Sequence, residues 1–144
     1  MKFYHVTTEE AIKEIQKNGF NLELSGTQGG EQLGKGLYLS QQPSFWAHRL
    51  GVTETLAVEV EMENICQNPT EREGFGDWLQ SNGWTDNNGP TEKGAQFVSK
   101  YRNPDDAIWT LTCEWLKSEG FSGMWDKAFN NLVIWNLEVV KIIQ

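Results

Sequence analysis

Along this chain the spacing of apolar positions changes period several times, and each change marks an element. KFYHV, at residues 2–6, packs aromatic and β-branched residues into a short run and predicts a strand. In TTEEAIKEIQKNGF the period turns helical, with Ala11, Ile12 and Ile15 on one side. Thr7 or Thr8 can cap that helix, Glu10 stands three residues after Thr7 as in a capping box, and Gly19 follows the last turn. NLELSGTQGGEQLGKG is polar and rich in glycine, a loop that lets backbone come close to something else. GLYLS is a second strand entered through that loop, and QQPSFWAHRL reads as a short helix with Pro43 near its first turn. TLAVEVEMENICQ alternates from Leu56 as a strand with one wet face. Glu59, Glu61 and Glu63 share that face, and one of them can border a cleft.

Between Pro69 and Pro104 the pattern weakens into a turn-rich surface excursion with short helices around SNGWTDNNGPTEKG. NPDDAIWTLTCEWLKSEGF restores a helix: Asn103 or Asp105 caps it, Ile108, Leu111, Trp115 and Leu116 form its stripe, and Gly120 ends it. SGMWD and NLVIWN read as strands, and EVVKII as a third or a continuation. With no repeat, low-complexity tract or linker, the pattern predicts one α+β domain over residues 1–144.

Composition narrows the function classes. Twelve Lys and Arg against twenty Asp and Glu give a net charge of −8, and no basic cluster offers phosphate contacts, so a nucleic-acid partner is disfavoured. Cys66 and Cys113 lie apart with no CxxC spacing, which predicts two small buried residues and neither a disulfide framework nor a metal site. The seven tryptophans are scattered and not interleaved with basic residues, a pattern of packing more than of base stacking. No apolar run is long enough to span a membrane and Met1 leads straight into strand-like sequence, so the expectation is a soluble, cytoplasmic protein.

Three stretches carry candidate chemistry: FYHVT at the start, GKGLYLSQQPSFWA in the first third, and GFSGMW with NNLVIWNLEVVKI at the end. In this order and at these separations they resemble the ADP-ribosyltransferase superfamily, in the branch shared by poly(ADP-ribose) polymerases and diphtheria-type toxins. TLAVEVEMEN is similar to the strand that follows the tyrosine motif in small bacterial and phage members. The resemblance implies a split β-sandwich with surrounding helices and an NAD cleft between two small sheets, NAD serving as co-substrate without a metal. It implies that His5 hydrogen-bonds ribose hydroxyls, one ring nitrogen donating and the other accepting. The Val6 backbone would face the nicotinamide amide, Tyr38 would stack on the nicotinamide ring, Ser40 would take the small or hydroxyl position that follows, and Gly34 and Gly36 would give the loop room.

Two positions depart from the family pattern. A second aromatic is expected eleven residues after Tyr38, where Arg49 stands; its guanidinium plane can stack, or Trp46 or His48 can take its place. Where the family's catalytic glutamate belongs, the terminal strand has Asn131, which keeps a hydrogen bond but not the charge. Asp126, in the loop WDKAFNN five residues earlier, is the candidate for a displaced acid, and the segment Trp125 to Asn130 for target selection. Chain elongation needs the missing carboxylate and is not expected. The resemblance therefore implies a mono-ADP-ribosyltransferase that transfers ADP-ribose from NAD to a protein side chain, as phage and bacterial effectors do to host machinery. Water as acceptor would make the same chemistry an NAD glycohydrolase. The alternative is a module of this fold that has lost catalysis and binds NAD, an ADP-ribose-like ligand or a protein. An RNA 2′-phosphotransferase of related fold needs more arginine than this chain carries.

Overall fold

The computed structural model describes residues 1–22, 36–51, 54–127 and 130–143, with the side chains of Trp46, Arg49 and Leu50 outside that description. Strand β1 (Lys2–Thr7) runs into helix α1 (Glu9–Asn18), whose N-cap is Thr8. The Thr8 hydroxyl accepts the Ala11 N–H at 3.2 Å. With Thr8 as cap, the third helical residue is Ala11 and not Glu10, so the expected capping box does not form; Glu9 and Glu10 instead bring negative charge to the first turn. Strand β2 (Leu37–Leu39) precedes helix α2 (Pro43–Leu50), with Pro43 in the first turn where its missing N–H costs nothing.

The expected single strand around residues 56–67 is two strands in different sheets. Strand β3 (Glu54–Val60) ends at a turn that leads to β4 (Ile65–Gln67). Only Glu59 of the three alternating glutamates therefore lies on a strand, and it is paired with the N-terminal ammonium of Met1. The excursion that follows holds a 3-10 turn at Pro69–Glu71, α3 (Phe75–Ser81), a two-stranded hairpin of β5 (Thr85–Asp86) and β6 (Gly89–Pro90), and α4 (Glu92–Ser99). Helix α5 (Pro104–Ser118) comes next, capped by Asn103, whose side chain accepts the Asp105 N–H at 3.1 Å. Strands β7 (Gly123–Asp126), β8 (Asn131–Ile134) and β9 (Val140–Ile142) complete the described chain.

These strands make an α+β arrangement of two main sheets. One has the order β1-β3-β9 and is antiparallel throughout; the other has the order β2-β8-β7-β4, with β4 parallel to β7. Alternation along the strands decides what each face meets. Leu37, Leu39, Leu132, Ile134, Trp125 and Ile65 join Phe3, Val58 and Val60 of the other sheet in one buried cluster. Phe3 and Trp125 meet edge to face there, with ring centroids 5.3 Å apart and planes at 81°. On the opposite face, Met124, Val133 and Cys66 pack against Cys113, Trp115 and Leu116 of α5. The four-stranded sheet is thus covered on both sides, while α1 and α2 lie against the three-stranded sheet. Two expectations fail on this account. Ile108 stays 49% exposed, off the buried side of α5, and Trp125 is 8% exposed in the core, not part of a recognition loop. Both cysteines are free and buried, and burial pushes the Cys113 thiol up to about 12.

Gly36 is a glycine because β2 must lie close on β8. A Cβ there would overlap Val133 Cγ2 and stand 3.1 Å from the Ile134 carbonyl oxygen. Gly36→Ala is therefore expected to destabilise the protein by ~1–3 kcal/mol, as forced overpacking does, with a matching fall in the urea midpoint. An unchanged midpoint would show that the sheet yields there.

Candidate functional site

The two sheets meet where β1 passes the end of β2. Tyr4 and Ser40 exchange both backbone hydrogen bonds, Tyr4 N–H to Ser40 O at 2.8 Å and Ser40 N–H to Tyr4 O at 2.9 Å. One residue further along β1, the His5 ring reaches across, with Nδ1 3.1 Å from the Tyr38 carbonyl oxygen. Thus two residues thirty-three positions apart in sequence, each singled out from its own motif, touch directly. Residues on a strand turn their backbone groups to alternate sides. The turn that aims Tyr4 at Ser40 aims the N–H and C=O of Val6 to the same side of β1, towards the flank of β2 at Tyr38, while its side chain is buried.

Strand register brings the remaining candidates to one face. Tyr38 pairs with Val133 and Met124 with the same Val133, and Tyr38 packs against the cluster on the α5 side of the sheet. By the two-residue period, Ser40, Asn131 and Asp126 fall on that face too. Asp126 is not in the loop: it is the last residue of β7 and the register partner of Asn131. Directly opposite residues have Cβ atoms about 4.5–5.5 Å apart. The only carboxylate among the candidate site residues therefore stands beside the asparagine it was proposed to replace. Nothing in the strand pattern announced this, because the register is set where the Asn130 N–H donates to the Lys127 carbonyl at 3.2 Å and Asn130 takes a left-handed conformation at φ 50°. The Asn130 side chain, which sequence reasoning passed over, accepts the Gln41 N–H at 3.3 Å and ties this turn to the one after Ser40. Ser40 is 2% exposed, and its hydroxyl accepts the Gln42 N–H at 2.9 Å; Asn131 is 6% exposed.

Gly36 stands apart from this row, its bare Cα used for packing against Val133. Arg49 lies on α2 with its side chain outside the described part, as does that of Trp46; Gly34 lies outside the described residues altogether. His48 is exposed on α2. An open depression of about 360 Å³ is lined by none of these; it lies at the end of β4, between Gln67, Asn68, Arg72 and Phe121. Its cation is already engaged, since Arg72 stacks 4.9 Å over Phe121 and pairs with Glu119 at 3.4 Å.

Electrostatically the notable group is His5. Burial lowers its pKa below the ordinary 6.5, and the bond to the Tyr38 backbone opposes that shift only in part, so the ring is neutral at pH 7. No family model, curated protein or solved structure matches the chain. Among the described residues no helix is long and apolar enough to cross a membrane.

The lowered pKa has a stability consequence. The unfolded chain takes up the His5 proton near the ordinary value of 6.5 and the native state only below it. Its contribution is constant above that pH and is lost as pH falls through 6.5 towards the native-state value, by at most about 1.4 kcal/mol per pH unit. Unfolding free energies of the wild type and His5→Gln, measured from pH 8 to 5, should differ by a constant above pH 7, and below it the wild type should lose stability relative to the variant. Parallel curves throughout would mean that His5 titrates normally.

Proposed function

We propose that this chain is a mono-ADP-ribosyltransferase that takes NAD as co-substrate and joins ADP-ribose to a side chain of a target protein. In this reading the two packed sheets are the split β-sandwich of the ADP-ribosyltransferases, and the junction of β1 with β2 is the nucleotide cleft. The observation that carries it is the direct meeting of His5 with the Tyr38 backbone, beside the Val6 amide on the same flank of β1. A primary carboxamide needs one donor and one acceptor, which a strand edge such as Val6 supplies as an adjacent pair. His5 offers a ribose hydroxyl a polar contact from the face that Phe3 shares, and in this reading Tyr38 offers its ring from the α5 side of the same sheet.

The reaction breaks the bond between C1′ of the ribose and the nicotinamide nitrogen. The nitrogen leaves with the electron pair and becomes neutral, and a nucleophilic atom of the acceptor bonds to C1′ and loses a proton. Positive charge gathers on the ribose on the way, and a fixed negative group nearby lowers that barrier most. In this reading Asn131 holds a hydroxyl and Asp126, its partner across the strands, supplies the charge, a role supported by their pairing. The acceptor would approach from the side of Lys127 and Asn130. A protein inside a cell, such as a component of host machinery if the source is a phage or bacterial effector, suits an acidic chain whose sequence carries no basic cluster.

The second reading, a module that binds NAD or a related ligand without chemistry, is favoured by one observation, the uncharged Asn131 where the family pattern has a glutamate. Nicotinamide release from labelled NAD, and label transfer to protein in a lysate, separate the two. The wild type is expected to do both. Asp126→Asn is expected to lower release ~10²-fold, as loss of one oriented electrostatic group does, and Asn131→Glu to raise it. Saturable NAD binding with no release would leave the binding module standing, and no binding at all would overturn both readings.

A further inference from the structure

Strand β9 is the outer strand of the three-stranded sheet, hydrogen-bonded to β3 on one flank and, among the described residues, to no strand on the other. In an antiparallel ladder every second residue turns its backbone groups to the same partner, so register shows which groups face outward. The Ile143 N–H donates to the Ala57 carbonyl at 3.2 Å and the Glu61 N–H to the Val139 carbonyl at 2.9 Å, so the odd-numbered residues of this stretch bond to β3. Val60, opposite Val140, gives its own N–H to the Met1 carbonyl at 2.8 Å, on the β1 flank. The N–H and C=O of Val140 and of Ile142 therefore point away from β3. They are two donors and two acceptors at the spacing a further strand requires.

The side chains along that open flank alternate in kind. Val140 and Ile142 pack half-buried against the cluster between the sheets, and Lys141 is exposed on the other face. Lys141 ends a row of register partners, Lys2, Glu59 and Lys141, whose charges run plus, minus, plus across the strands. Glu59 is held by the Met1 ammonium, and among the described residues Lys141 forms no ion pair.

We propose that the free flank of β9 is a docking site for an extended peptide segment that adds antiparallel to it and carries an acidic residue between two apolar ones. The acidic side chain stands opposite Lys141, where unlike charges across strands attract, and its two neighbours cover the edges of Val140 and Ile142. The inner flank of β9 already pairs with this pattern, since Val58, Glu59 and Val60 of β3 lie opposite Ile142, Lys141 and Val140. A second copy of the chain fits worse. A two-fold pairing of β9 strands that uses all four outward groups bonds Val140 of one copy to Ile142 of the other and sets the two Lys141 side chains directly opposite each other. Lysine on an edge strand thus opposes self-pairing and leaves the backbone open to an acidic partner. β3 separates this flank from β1, and its occupation requires no NAD.

Two end-capped synthetic peptides test this, one with the core Thr-Val-Glu-Val-Thr and one with lysine in place of its glutamate, titrated against the wild type without NAD. The glutamate peptide is expected to bind ~3–10-fold more tightly, the range for an attractive cross-strand pair exchanged for a repulsive one. In Lys141→Glu the preference is expected to invert. Amide hydrogen exchange gives a readout that requires no variant. In the free protein the Val140 and Ile142 amides are expected to exchange faster than that of Ile143, and glutamate peptide at about ten times its Kd is expected to slow both ~10-fold. Equal affinity of the wild type for the two peptides, binding that leaves those two amides unprotected, or no binding would overturn the proposal. So would a protein that sediments as a dimer with both amides already protected, which would give the flank to a second copy. If Lys141→Glu fails to fold, the wild-type comparison and the exchange measurement still decide.

Discussion

The arrangement hangs on a two-residue pairing. Tyr4 and Ser40 exchange backbone hydrogen bonds at 2.8 and 2.9 Å, and through them the edge strand of one sheet is held to the edge strand of the other. β1 is bonded along its other side to β3, so it belongs to both sheets at once. Its odd-numbered residues then have no choice of surroundings. Phe3 must enter the space between the sheets, where it meets Trp125, and His5 must stand at the mouth of that space, where it meets the Tyr38 carbonyl. The apolar contact and the polar one are two steps on the same face of the same strand, and fixing the first orients the second.

The four-stranded sheet is the rigid reference for everything near the junction, because it is buried on both faces. Leu132 and Ile134 point towards the other sheet and Val133 towards α5, so β8 has no wet side. Large side chains on both faces and a glycine at Gly36, where β2 comes in, let the strands pack to full density. A strand so enclosed holds Asn131 at its end without freedom to drift. The turn that follows Asp126 is fastened at its far side by Asn130, whose side chain reaches the backbone of Gln41. Two turns that carry candidate residues are therefore fixed to each other as well as to the sheet.

Much of this was readable along the chain. The first strand, the helices that begin near Thr8, Pro43 and Asn103, and the strands near the end follow from local signals that tertiary packing did not oppose. The misread elements share one cause, since an apolar run does not say how many partners it has. Residues 56–67 looked like one half-wet strand because Glu59, Glu61 and Glu63 alternate, yet the turn at 61–64 sends the chain into the second sheet. Trp125 looked like part of a loop because a charged, aromatic and polar stretch follows it, whereas its register on β7 turns it inward. Ile108 looked like core because it fits the helical stripe, but α5 buries only the side facing the sheet. At the junction, His5 and Tyr38 were legible as separate signals. Their contact and the pairing of Asp126 with Asn131 were not, because each depends on register, which local sequence does not encode.

Sheet order also dictates when the molecule can become itself. β2 at residues 37–39 finds its partner only at residues 132–134, and β3 is flanked on one side by residues 140–142. Both sheets are closed by segments that a ribosome delivers long after the strands they pair with. The early strands β1 and β3 can form an antiparallel pair, but the edge that β8 will cover and the edge that β9 will cover stay open until those segments emerge. Such non-local pairing slows folding and leaves apolar edges available to other chains in the interval. A nascent chain of this protein is therefore a different physical object from the finished one: it has a first sheet without its third strand and a junction without the surface that gives it shape.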